Sequence, residues 1–86
     1  MHQIQFKASV EKDLRKIGRA EGERIMQNLY EKLAVNPHIG IPLKGSKQKL
    51  WRHRIGNYRV VYAFNDEECW ILVIHIAHCR EVYRAL

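Results

Sequence analysis

Three strand-like runs joined by tight turns fill the second half of the chain, and they constrain the fold more than any other feature. Leu50-Trp51-Arg52-His53-Arg54-Ile55, about residues 57 to 65, and about 69 to 77 are rich in β-branched and aromatic residues. Gly56-Asn57 joins the first pair and Asn65-Asp66-Glu67-Glu68 the second. Strands so closely joined predict a mostly antiparallel sheet.

The first half reads differently. Gln3 to Lys7 alternates like a short strand. Ser9, followed by Glu11 and Asp13, reads as the N-cap of a helix with Val10, Leu14 and Ile17 on one face, ended by Gly18. A second helix carries Ile25, Leu29 and Leu33 in one stripe, with Met26 and Tyr30 beside it, and stops at Asn36-Pro37. His38 to Lys49, with Gly40, Pro42 and Gly45, reads as a loop, and Glu81 to Leu86 as a short helix or a tail. The order β-α-α-β-β-β predicts one α+β domain over residues 1–86, an antiparallel sheet with both helices on one face.

Charge is unevenly spread. The 86 residues carry a formal charge of +6, which predicts polyanionic or acidic partners. Between Lys32 and Asp66 there is no acidic residue, while Lys44, Lys47, Lys49, Arg52, Arg54 and Arg59 fall inside that window. Strand alternation puts Arg52 and Arg54 on one face, opposite Trp51, His53 and Ile55. On the next strand Arg59, Val61 and Ala63 oppose Tyr58, Val60, Tyr62 and Phe64. Such a sheet buries one face under the helices and presents fixed cations on the other, as holding a phosphate backbone requires.

Other classes are disfavoured. No apolar run approaches a membrane span, and no secretory signal is expected. Cys69, read as a strand residue, and Cys79 match no zinc pattern and read as free thiols in a cytoplasmic protein. The five histidines lack acidic or thiol partners at ligand spacing, so no metal is expected.

Four segments together are similar to a known family. Leu33-(x)3-Pro37, Leu43-Lys44-Gly45, the run Trp51-Arg52-His53-Arg54-Ile55-Gly56-Asn57-Tyr58-Arg59-Val60-Val61-Tyr62, and Ile76-Ala77-His78-Cys79-Arg80-Glu81-Val82-Tyr83-Arg84 resemble the RelE/ParE superfamily of toxin–antitoxin toxins over nearly the whole chain. The resemblance implies one of two activities: messenger RNA cleavage on the ribosome (the RelE branch) or gyrase poisoning (the ParE branch). Arg52 and Arg54 together with Tyr83 favour the first, and a degenerate, non-toxic member that only binds antitoxin is a further alternative.

For the RelE branch the resemblance implies a cofactor-free endoribonuclease, in which the 2′-hydroxyl of a nucleotide in the ribosomal A site attacks the adjacent phosphate. It assigns Arg52 and Arg54 to clamping that phosphate and Arg59 to stabilising transition-state charge. Guanidinium stays protonated, so none of these is a good base. Tyr83 is assigned to stacking or proton transfer. Many relatives carry Arg where this chain has Cys79, and Arg80 is the candidate for that role. Lys44, Lys47, Lys49, His53 and His78 are candidate RNA contacts, and the implied partners are a cognate antitoxin and the ribosome.

Blander assignments stand beside these. The arginine row is alternatively a solvated sheet face, and Arg59 a structural cation paired with Glu81 or Asp66. Tyr83 is alternatively a packing residue. Parity turns His53 away from the arginines, and His75 reads as a satisfied core residue.

Overall fold

The computed structural model describes residues 1–45 and 49–79. Lys47, Arg80, Tyr83 and the expected C-terminal helix or tail lie outside the described residues. The elements are β1 (Gln3–Phe6), α1 (Ala8–Ile17), α2 (Arg19–Asn28), β2 (Ile41–Pro42), β3 (Trp51–Ile55), β4 (Tyr58–Asn65) and β5 (Trp70–His78). They form an α+β domain whose five-stranded sheet has the order β1-β5-β4-β3-β2. The β3-β4-β5 meander is antiparallel, as the tight turns require. β1 pairs parallel to β5 at one edge, and β2 adds a short antiparallel strand at the other.

The helices cover one face of this sheet. Val10, Ile25, Leu29 and Leu33 pack with Val60, Tyr62, Ile71, Val73 and Ile76 in one buried cluster. Each such side chain contributes about 1.5–3 kcal/mol on burial, so the amphipathic stripes rather than helix propensity hold α1 and α2 in place. No helix among the described residues is long and apolar enough to cross a membrane.

The element boundaries depart from the sequence expectation in four places. α1 begins at Ala8, so Ser9 lies inside the first turn and makes no capping bond. The chain is instead turned by pairing, with Lys7 N–H donating to Val73 O and Val10 N–H to Lys7 O, both at 2.9 Å. The second helical stripe does run to Leu33, but its end widens into a π-type turn over Leu29–Leu33, where Ala34 N–H reaches back to Leu29 O. The expected loop from His38 holds a 3-10 turn, Pro37–Ile39, and then β2. Cys69 is not in a strand. It sits in the β4–β5 turn at φ +56, in the left-handed region that reversal of the chain demands there.

A register shift explains the fate of His75. Val61 pairs with His75 but Tyr62 with Val73, so Ile74 is an extra residue on β5. Ile71, Val73 and Ile76 are thereby all buried despite their broken alternation. His75 is consequently not a core residue: it is half-exposed, with Nδ1 3.0 Å from Asp13 Oδ2. The same carboxylate oxygen accepts Ile76 N–H at 3.2 Å, just past the point where β1 has ended.

Candidate nucleic-acid interface

The β3–β4 register gathers the cations. Arg54 lies directly opposite Arg59, and Arg52 opposite Val61. Residues opposite each other in an antiparallel pair share a face, so the three guanidinium groups form one cluster on the side away from the helices. Like charges directly across a ladder repel. An anion seated among them relieves that repulsion.

This cluster borders a cleft of about 380 Å³, lined by Arg52, Arg54 and Arg59 together with Ile39, Gly40, Ile41 and His53. Arg54 is exposed and Arg52 and Arg59 half-buried. Arg54 Nε donates to Gly56 O at 2.8 Å, which fixes the side chain against the β3–β4 turn. All three rise from one β3–β4 hairpin, which sets their spacing along a phosphate.

Beside the arginines the cleft is lined by Ile39, Gly40 and Ile41, from the segment that sequence reading left as a loop. Tyr62 is the link. Its buried hydroxyl donates to Pro37 O, and burial pushes its pKa up to about 12, with Gly40 N–H pulling weakly the other way. Gly40 is packed so tightly against Tyr62 Oη and Arg52 O that a Cβ there would overlap both. Ile41 pairs with Arg52, joining that segment to β3.

The histidines lie elsewhere. His53 borders the cleft, yet its Nε2 is 3.0 Å from Asn28 Oδ1 at the end of α2. Burial, helped by the nearby Lys32 charge, lowers its pKa below 6.5 and favours the neutral ring. His78 stacks edge-to-face on Tyr58 at 5.7 Å and lines a separate cavity of about 350 Å³ with Glu21 and Arg24. The Glu21 carboxylate makes that second cavity the poorer phosphate site. Lys44 and Lys49 are exposed at the base of the β2–β3 loop, closed by Leu43 N–H to Leu50 O at 2.9 Å.

Sequence reasoning missed one ionic constellation. His38 Nε2 is 2.7 Å and His2 Nε2 2.9 Å from the two oxygens of Asp66. The His38 bond chiefly, and the His2 bond after it, hold that carboxyl below its usual range. No local signal exists for this group, because its members are 64 and 28 residues apart. Among the described residues no group of three His, Cys, Asp or Glu is arranged to hold a metal ion.

A small sheet covered on one face by two helices defines a fold class seen in solved toxins. The toxin–antitoxin complex RelBE2 from Mycobacterium tuberculosis shares the fold with a TM-score of 0.82 at 22% identity, over 90% of this chain and 96% of that one. A mutant of the E. coli toxin RelE in complex with an antitoxin RelBc peptide gives 0.73 at 27% identity, over 98% and 92%. In sequence, Toxin RelE of Mycobacterium tuberculosis is 31% identical over 84 residues, covering 96% of this chain and 87% of its own length. The model of the family described as ParE toxin of type II toxin–antitoxin system, parDE, matches residues 4–83. The chain belongs to that family and is a toxin of a type II toxin–antitoxin system within the RelE/ParE superfamily.

Proposed function

We propose that this toxin is a ribosome-dependent endoribonuclease that cuts messenger RNA in the A site without a cofactor. The observation that carries the reading is the convergence of Arg52, Arg54 and Arg59 on one cleft of nucleotide-compatible size. The 2′-hydroxyl attacks the adjacent phosphorus, the P–O5′ bond breaks, and a cyclic phosphate and a free 5′-hydroxyl result. Charge grows on the non-bridging oxygens during this step, and fixed guanidinium groups stabilise it without reorganising. The proton from the 2′-hydroxyl and the proton for the leaving oxygen need other groups, and Tyr83 is the candidate by resemblance. A hydroxyl nucleophile of this kind restricts the substrate to RNA.

The ribosome's part is to orient the message, which is why free RNA should be cut poorly. A cognate antitoxin is the natural partner. The solved relatives include toxin–antitoxin complexes, and an acidic partner complements the +6 charge. The chain then works in the cytoplasm, where ribosomes and antitoxin meet it.

Primer extension in a reconstituted translation reaction, with and without ribosomes, tests the reading. New ribosome-dependent 5′ ends that disappear in Arg59→Ala are expected; intact message from a toxin that still arrests growth would overturn it. The ParE description of the family model favours gyrase inhibition as the second reading, which such an outcome would support. Intact message without arrest would point to a silent member that only binds antitoxin.

A further inference from the structure

Ile39 and Ile41 stay 41% and 56% exposed although both belong to a segment held on several sides. Asn36 Oδ1 accepts His38 N–H at 3.1 Å, and His38 Nε2 meets Asp66. The His38 ring packs edge-on against Phe64 at 4.9 Å and Trp51 at 5.8 Å. Tyr62 holds Pro37, and Ile41 is paired into the sheet through Arg52. A single exposed isoleucine needs no explanation. Here two of them, with their backbone tied into the fold, line the same cleft as Arg52, Arg54 and Arg59.

That juxtaposition matches the two halves of a nucleotide. Guanidinium groups take the phosphate, and apolar side chains take the face of an unstacked base. The cleft of about 380 Å³ falls in the range of about 300–1,000 Å³ typical of small-molecule sites, larger than a phosphate alone requires. We propose that Ile39 and Ile41 are the seat of the nucleobase belonging to the nucleotide whose phosphate Arg52, Arg54 and Arg59 hold. The inference rests on the RNA-binding reading above and adds to it a contact that arginines cannot make. Because the seat has no polar group of its own, it orients a base without selecting one by hydrogen bonds. The rigid backbone lowers the ordering cost of binding.

The test compares two probes on the purified full-length chain: a short labelled 2′-O-methyl oligoribonucleotide, which cannot be cut, and its abasic counterpart of equal charge. Wild type should prefer the base-bearing probe by about fivefold, the scale expected from partial burial of one isoleucine. Ile41→Ala, at an exposed position, should shrink that preference toward parity while leaving abasic affinity unchanged. Arg54→Ala should weaken both probes alike. A preference that persists in Ile41→Ala and in the Ile39→Ala/Ile41→Ala double variant overturns the seat and leaves the two isoleucines to a protein partner. Equal weakening of both probes by Ile41→Ala overturns it too, because the substitution would then act through the arginines. If the two probes bind wild type equally, the seat fails while the phosphate site stands; if neither binds, the seat fails, and the ribosome-dependent reading is decided by primer extension.

Discussion

β3 and β4 have two faces, and neighbouring residues on the same strand meet opposite surroundings. On the helix side, Val60 and Tyr62 are fully buried among Ile25, Leu29 and Leu33, and His53 is bonded to Asn28. On the other side, Arg52, Arg54 and Arg59 share a cleft, with Arg54 directly across the ladder from Arg59. One face lowers the free energy of folding. The other buries Val61 and Ala77 but also places like charges together, an arrangement suited to a polyanion. Stability and binding should therefore separate cleanly by face, and substitutions can break or sharpen that division.

The largest effect is expected in the core. Leu29→Ala should cost about 3 kcal/mol in urea unfolding, because a fully buried side chain leaves a cavity. Arg54→Ala should do the reverse: cleavage on the ribosome should fall about 10²-fold while the unfolding midpoint stays put. A large loss of stability in Arg54→Ala would erase the division. Gly40 is where the faces meet, since it lines the cleft and abuts the core tyrosine. Gly40→Ala should cost about 2 kcal/mol by overpacking and also lower activity, the one substitution here that moves both readouts. Cys69→Gly, in the β4–β5 turn and outside the cleft lining, should raise stability by about 1 kcal/mol by relieving a left-handed residue, with cleavage unchanged.

The smallest effect concerns pH. The folded state lowers the pKa of His53, so the unfolded chain binds the proton more readily. Stability from this residue is therefore intact above pH 6.5 and is lost as pH falls below that value toward the folded pKa. Thermal unfolding at pH 7.5 and 5.5 should show a smaller acid loss in His53→Gln than in wild type. Equal losses would mean that His53 is not held neutral by the core side. Asp66, with its pKa depressed by His38 and then His2, acts in the same direction but only at lower pH, where carboxylates titrate.

Much of this was legible in the chain because it depends on local period. Alternation on β3 and β4 sorts Arg52 and Arg54 from His53, and Arg59 from Tyr58 and Tyr62, before any coordinates are known. The helical stripe ending in Leu29 and Leu33 and the turns at Gly56-Asn57 and Asn65 to Glu68 are equally local. Pairing between distant segments is not. β2 exists because Ile41 and Pro42 find Arg52 and Trp51, and nothing in the segment itself asks for a strand. The bulge at Ile74 breaks the alternation on which His75 was read as core. Cys69 takes a conformation set by the turn it closes rather than by its own preference.

By itself, then, the sequence determined the main helices and strands, the face each side chain takes on a regular strand, and the concentration of positive charge in the central third. The tertiary structure alone decided that the arginines face a cleft instead of open solvent. It brought Ile39 and Ile41 beside them, tied that segment down through Tyr62 and Asp66, and turned His78 toward a different cavity. The physical reason is range. Periodicity is written between neighbours a few residues apart, whereas a cavity needs walls from segments that meet only when the core has closed.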